Sequence, residues 1–322
     1  MPEKRILLDM TPGELGVYFK ELGQPAFRAG QVYSWLTRGV PFSEMSNLPK
    51  ALREQLMETC DDLPMELYGV FPSQKDDTVK FLFRCRDDNL IEGVLMRYHH
   101  GNTLCLSTQV GCRMGCAFCA STLDGLQRGL TAAEMIDQIY QIGKDIGERI
   151  SNVVVMGTGE PLDNYDNLLR FIHILTEDGG IHISQRNLTV STCGLVPRIY
   201  ELADEKLQMT LAVSLHAPND EKRRELMPIA NKYSVDELLE ACRYYFAKTG
   251  RRITFEYSLV AGVNDSKENA QELAGRLKGL NCHVNLIPVN PVRERSFVRS
   301  TRQAVENFKI KLEKCGINGT IR

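Results

Sequence analysis

The sequence predicts an α/β protein: a partial (β/α)6 barrel, open on one side, preceded by a small N-terminal helical accessory domain and a β extension. Three observations carry this. Apolar residues recur at helical spacing up to about residue 65, strand-like runs fill about 66–103, and from residue 104 onward strand-like and helical stretches alternate. The changes of pattern divide the 322 residues into segments 1–65, 66–103 and 104–322, long enough together to bury a sizeable core.

In the first segment Thr11-Pro-Gly-Glu14 is a capping box, in which side chain and backbone satisfy each other's free groups at a helix start. Val32, Trp35 and Leu36, then Leu48, Leu52 and Leu56, keep the spacing of a buried helical stripe. In the second segment, Thr78–Phe83 and Ile91–Met96 read as strands separated by the turn-forming Asp87-Asp88-Asn89. The third segment predicts strands at 104–108, 152–156, 187–191, 210–215, 253–259 and 283–287. Helices are expected near 131–147, 164–177, 196–204, 235–248, 266–279 and 301–315. Two of them open on capping boxes, Thr131-Ala-Ala-Glu134 and Ser234-Val-Asp-Glu237. Strands joined by such long crossovers must be parallel, in right-handed βα units, and six units are two short of a closed eight-stranded barrel.

Composition excludes several classes. Ten cysteines without a secretory leader imply reduced thiols in a cytoplasmic protein, and the opening MPEKRILLDM is far too short an apolar run for secretion or a membrane. A net charge of −2 does not announce a nucleic-acid binder. Locally, Arg293, Arg295, Arg299 and Arg302 are opposed only by Glu294, and Arg223–Arg224 and Arg251–Arg252 form smaller pairs. Such a run is either a solvated face or a contact for RNA phosphate.

The most informative feature is Gly-Cys112-Arg-Met-Gly-Cys116-Ala-Phe-Cys119, three cysteines in the pattern C-x3-C-x2-C. A [4Fe–4S] cluster normally takes four thiolates, one per iron. Three on one loop leave an iron free for the amino and carboxylate groups of S-adenosyl-L-methionine, whose sulfonium an electron from the cluster can split. The rival is structural zinc, with Cys105 as fourth ligand, although zinc sites usually pair CxxC-like units. Ligand-binding groups of parallel βα folds gather at the C-terminal strand ends. Gly157-Thr158-Gly159-Glu160-Pro161, Ser191, Ser214-Leu215-His216 and Asn290 all fall there. Glycines admit close approach of a ligand, and Glu160 can accept from an ammonium group. His216 alone reads as a structural, hydrogen-bonded histidine.

These residues lie in longer motifs: Pro25-Ala-Phe-Arg28-Ala-Gly-Gln31, Asn47-Leu-Pro49-Lys50, Leu104-Cys105 through Cys112, Gly157 through Asn167, Ser191-Thr-Cys-Gly194, Leu211 through Pro218, and Asn285 through Pro291. Over nearly its whole length the chain resembles the RlmN family of radical S-adenosylmethionine RNA methyltransferases, with Thr158 where the family more often carries Met. The resemblance implies a radical SAM barrel and methylation of adenine C2 in 23S rRNA and in tRNA beside the anticodon. An electron donor such as flavodoxin, a [4Fe–4S] cluster and S-adenosyl-L-methionine would take part. Cys112, Cys116 and Cys119 would hold the cluster, and Gly159, Glu160, Ser191, Ser214, Leu215, His216 and Asn290 the S-adenosyl-L-methionine. Adenine C2 has no lone pair for ordinary methyl transfer. In the family a C-terminal cysteine first takes a methyl, a 5′-deoxyadenosyl radical activates it, and the methylene adds to C2. A second cysteine, seven residues before the first cluster ligand, resolves the adduct and forms a disulfide, and Cys105 matches it. Glu92 stands where the family has an acid assigned as proton acceptor, so thiol and carboxylate compete for that role.

The family's methyl-carrying Cys-Gly-Gln lies about ten residues beyond a segment matched here by Gly316-Ile-Asn-Gly-Thr-Ile-Arg322. Cys315 precedes that segment, so the chain reads as a truncated copy. Cys60, Cys85, Cys193, Cys242 and Cys282 are expected to pack as small hydrophobes. Two rivals remain: a Cfr-type enzyme acting on adenine C8, and an RNA-binding iron–sulfur or zinc protein without catalysis.

Overall fold

Capping and burial decide where the elements begin and end. The structure is a computed structural model that describes residues 4–177 and 180–322, so Met1–Glu3 of the opening segment lie outside it. Its packing divides into two compact units: Met1–Val110, Arg128–Gly159 and Asn164–Leu188; and Gly111–Gln127, Glu160–Asp163 and Thr189–Arg322.

The first unit opens with strand β1 (Arg5–Ile6) and helices α1 (Pro12–Glu21), α2 (Phe27–Leu36) and α3 (Lys50–Thr59); β1 pairs in parallel with β2 (Cys60–Asp61). The Thr11–Glu14 capping box forms at the start of α1. Leu15, Phe19, Val32, Leu36, Leu52 and Leu56 fill the helical core, as their spacing requires. Strands β3 (Met65–Pro72), β4 (Val79–Cys85), β5 (Leu90–Tyr98) and β6 (Gly101–Cys105) then pair antiparallel in sequence order. Asp88, at φ 62°, makes the β4–β5 turn. Strands β7 (Gln109–Gly111) and β8 (Leu126–Gly129) bracket the cysteine loop in sequence.

After them come α4 (Ala132–Ile146), β9 (Ile150–Val155) and α5 (Tyr165–Thr176), with β9 parallel to β6. The expected strand at 104–108 is shifted, because residues beyond Leu106, which still bonds Val154 O, leave the ladder for other partners. Ser107 donates its N–H to Gln138 Oε1 at 3.0 Å, and Thr108 donates to Thr158 O at 2.9 Å. Both reciprocal Thr131–Glu134 bonds cap α4, which ends at left-handed Gly147.

The second unit is a parallel sheet in the order β10 (Leu188–Thr192), β11 (Thr210–Ser214), β12 (Ile253–Leu259), β13 (Cys282–Pro288) and β14 (Gly319–Ile321). Helix α6 (Val196–Asp204) joins β10 to β11; α7 (Asp220–Leu226) and α8 (Val235–Thr249) lead to β12; α9 (Lys267–Leu277) and α10 (Arg302–Lys314) complete the crossovers. All seven residues of β12 are buried, as for a strand covered on both faces. The six strands expected from residue 104 are all present, and β14 is an additional one. Among the described residues no helix is long and apolar enough to cross a membrane.

Asp137 is a buried load within this framework. Its Oδ2 accepts from Met65 N–H at 3.2 Å and Gln141 Nε2 at 2.7 Å, which ties α4 to the start of β3, while Oδ1 has no partner. Burial raises its carboxyl to about 7. A carboxyl that binds its proton more tightly folded than unfolded stabilises fully below the unfolded value of about 4 and loses that stabilisation as pH rises through about 7. Denaturant titrations from pH 4 to pH 8 should therefore show a loss on the order of 2–4 kcal/mol that Asp137→Asn removes. A parent and variant with parallel pH profiles would refute this.

Candidate functional site

The cysteine loop of the second unit is held by its backbone. Gly111 has φ 73°, and a Cβ there would lie 1.9 Å from Gly125 O, so only glycine fits where Cys112 N–H bonds Gly125 O at 3.0 Å. Ala117 N–H bonds Leu226 O at 2.9 Å, docking the loop on α7. Thr122 Oγ1 donates to Cys119 O at 3.1 Å and Cys116 O at 3.3 Å. Met114, Cys116 and Phe118 rest on a bed of Cys193, Leu226, Met227, Val260 and Val289. Burial pushes the Cys112 thiol up to about 11 and the Cys116 thiol to about 12, and the neighbouring sulfurs push in the same direction.

Beside this loop the strand ends carry the residues expected from sequence. Glu160 is 3 % exposed; its oxygens accept from Cys193 N–H at 2.7 Å and Leu162 N–H at 3.1 Å. Burial raises its pKa and these bonds partly offset the rise. The Thr192 and Cys193 side chains bond the same carboxylate. Ser191 lies in β10 and Ser214 ends β11, both half-buried, while Asn290 is exposed just beyond β13. Leu215 and His216 donate their N–H groups to Glu256 O at 3.1 and 3.3 Å.

His216, at φ 57°, accepts Ser258 N–H on Nδ1 at 2.9 Å and packs its ring edge-on against Phe118 at 4.9 Å. Burial, then the charge of Arg223, lowers its pKa to about 3, so the ring is neutral.

Three residues have places at the site that the sequence reading did not assign them. Arg223 is fully buried and donates to Cys193 O at 2.6 Å, Leu215 O at 3.2 Å and Ser214 O at 3.3 Å. Asn264, also fully buried, donates to His216 O at 2.7 Å and Ser258 O at 2.6 Å and accepts Val260 N–H at 2.8 Å. Arg295 belongs to the arginine run, yet Nη2 donates to Thr122 Oγ1 at 3.0 Å and Cys119 O at 3.4 Å; Arg293, Arg299 and Arg302 are exposed. The signal for Arg223 was its place three residues before Leu226 on one helix face.

In the first unit, Cys105 ends β6 opposite Val94 of β5, which puts Glu92 on the same sheet face as its diagonal neighbour. Burial raises the Cys105 thiol to about 11. Glu92 is half-exposed and paired with Lys80 at 3.0 Å. Gly159, at φ 113°, passes so close to Thr108 and Gln109 that no side chain fits. All ten cysteines are free thiols. The disulfide implied for Cys105 is thus absent; its thiol is half-buried and accepts from the Met156 backbone, and the resemblance puts its partner cysteine in no position of residues 1–322.

The residues fit an iron–sulfur cluster. Three thiols stand on one loop, whereas a structural zinc site takes four ligands. A cubane spreads its thiolates over separate irons. Beside the loop, Arg223 Nη1 and Arg295 Nε are buried donors with no acceptor, which suits an anionic group on the three cysteines.

Comparisons with known proteins agree with this geometry. The Radical SAM superfamily profile matches residues 106–274, and that of the ribosomal RNA large subunit methyltransferase N-terminal domain matches residues 6–61. The chain is 58% identical over 311 residues to a Lachnospira eligens protein named "Probable dual-specificity RNA methyltransferase RlmN", covering 96% of this chain and 89% of that one. A Clostridium botulinum protein of the same name is 56% identical over 98% of this chain and 91% of its own length. The crystal structure of a radical SAM methyltransferase from Sphaerobacter thermophilus superposes with TM-score 0.95 at 44% identity, over 99% of this chain and 95% of that one.

Gly159→Ala tests the crowding at the glycine motif. The new Cβ would lie 2.7 Å from Gln109 Cβ and 2.8 Å from Thr108 Oγ1 on a left-handed backbone. Urea denaturation should show a loss of about 2 kcal/mol or more; a change below about 0.5 kcal/mol, the range of neutral surface substitutions, would contradict the packing described.

Proposed function

Since the chain belongs to the RlmN family of radical SAM methyltransferases, we propose that its site serves methylation of C2 of adenine in 23S ribosomal RNA and in tRNA beside the anticodon, through a methyl-cysteine that residues 1–322 do not supply. The family's cofactors are a [4Fe–4S] cluster and S-adenosylmethionine. The observation that carries the reading is one compact unit in which a three-cysteine loop and the polar ends of parallel strands occur together.

In this reading Cys112, Cys116 and Cys119 hold the cluster, leaving one iron for S-adenosylmethionine. When bound, the cluster supplies the electron that splits the sulfonium and so opens a route to a carbon without a lone pair. Glu160 receives the ammonium group, as the resemblance implies. Ser191, Ser214, the Leu215–His216 backbone, Gly159 and Asn290 complete the cofactor site. The N-terminal helices serve as an RNA-binding accessory domain, and exposed Arg293, Arg299 and Arg302 meet RNA phosphate.

Glu92 is the proton acceptor rather than Cys105. A thiol raised to about 11 keeps its proton at neutral pH, whereas Glu92 is a solvent-accessible carboxylate on the same sheet face. Cys105 then acts as a thiol in resolving the adduct.

Anaerobically reconstituted protein should carry about four irons. Cys112→Ala, Cys116→Ala or Cys119→Ala should each strip it, while Cys105→Ala retains it. Tight zinc in place of iron, or iron lost only with Cys105, would sink the ligand assignment.

A second outcome concerns methyl transfer. Within residues 1–322 no cysteine matches the family's methyl carrier, and reacting atoms must approach to about 3–3.5 Å. Protein made of these residues alone should cleave S-adenosylmethionine when reduced but leave RNA unmethylated. Appending a family Cys-Gly-Gln segment should restore transfer. Labelled methyl entering ribosomal RNA without that segment would overturn the carrier assignment.

A further inference from the structure

Arg223 is a cation where cations are expensive. It is fully buried, a guanidinium keeps its charge in proteins, and none of its N–H groups meets a carboxylate among the described residues. Three bonds go to carbonyl oxygens, which supply partial charge only, and Nη1 goes to nothing. The helix bearing it is docked on the cysteine loop through Ala117 N–H to Leu226 O. Half-buried Arg295 bonds Cys119 O and Thr122 Oγ1 of the same loop and leaves Nε buried without an acceptor. A buried charge and two orphaned donors around three cysteines lack one thing, an anion.

We propose that Arg223, assisted by Arg295, is the cationic counterpart of the iron–sulfur cluster and raises its reduction potential. This rests on the reading that Cys112, Cys116 and Cys119 hold that cluster. A cubane core of two positive charges with three thiolates carries one net negative charge when oxidised, and two after it gains one electron from an external reductant. No proton or covalent bond changes hands. The added negative charge lies in a low-dielectric site where fixed cations and N–H donors favour the reduced form most. Arg223 is therefore a positioning residue: it ties the ends of β10 and β11 and sets the electrostatics of the loop.

The test uses full-length protein reconstituted anaerobically, with iron measured first. A parent protein that takes up no iron refutes the ligand reading itself. In iron-loaded protein, potentiometric titration followed by electron paramagnetic resonance should show Arg223→Met with at least a tenfold smaller reduced-to-oxidised ratio at a fixed potential. That is a fall of about 59 mV for a one-electron couple. Arg223→Lys, which keeps one cation but loses the guanidinium's spread of donors, should fall between the parent and Arg223→Met, and Arg295→Met should move in the direction of Arg223→Met by less. Full iron with an unchanged potential in Arg223→Met overturns the proposal. Urea unfolding of apo and loaded protein adds a readout blind to simple scaffolding: loading should stabilise the parent more than Arg223→Met. Equal stabilisation by loading would mean a structural role only, and counts against the proposal. If Arg223→Met does not fold, Arg295→Met decides: an unchanged potential overturns the proposal, and a lower one supports it.

Discussion

Where parallel strands stop, their last backbone groups lose the neighbouring strand, and in the second unit those groups are buried. Four polar side chains satisfy them. Arg223 takes the carbonyls of Cys193, Ser214 and Leu215; Asn264 takes those of His216 and Ser258 and the N–H of Val260. Glu160 accepts from Cys193 and Leu162, and His216 Nδ1 from Ser258. Each unsatisfied buried group would cost about 1–3 kcal/mol. The network therefore fixes the strand ends that carry Ser191, Ser214 and Leu215, and the apolar bed beneath the cysteine loop rests on it. Preorganised backbone at the rim is what lets a cofactor be aimed rather than merely held.

The same burial governs how the cysteines can take metal. Cys112 and Cys116 hold their protons far above neutrality, so thiolate ligation must release protons to solvent. Burial opposes the separated thiolates, yet it strengthens their attraction to iron once the metal is in place. Cys105 shares the raised pKa, although it lies on a strand in the other compact unit. Its burial suits a thiol that must not ionise early. Cys60, Cys85, Cys193 and Cys242 are buried, Cys282 is half-buried, and Cys60 also bonds the Tyr18 hydroxyl at 3.0 Å.

The sequence carried the fold where local and tertiary preferences agree. Helix α6 falls at 196–204 as read, and the three capping boxes form because each needs only a side chain and its own first turn. Strand β14 was missed: three residues, Gly-Thr-Ile, give no periodicity, and only the register against β13 creates them. Strand β3 falls in the region read as strand-like, but its own bounds were not legible, because Tyr68, Val70 and Phe71 are exposed and break the alternation a half-buried strand should show. The site was legible in its thiols and glycines, whose spacing and backbone demands are local. Arg223 was not, because in Glu-Lys-Arg-Arg-Glu one buried cation looks the same as four solvated charges. Arg295 was read with its neighbours as a single run, and only the structure parts it from Arg299 and Arg302.

That separation changes how charge in this chain should be understood. A net charge of −2 and a short arginine run first suggest weak, diffuse attraction for a polyanion. Exposed arginines act that way, screened over about 8–10 Å by salt. Arg223 and Arg295 do not, since their donors point into protein where water cannot screen them. One residue type thus meets two demands: at the surface it recognises phosphate with a strength that salt controls, and beneath the cysteine loop it offers a fixed positive field. Lysine could meet the first demand. The second needs a group that stays charged when buried and can donate along several directions at once, and among side chains only guanidinium does both.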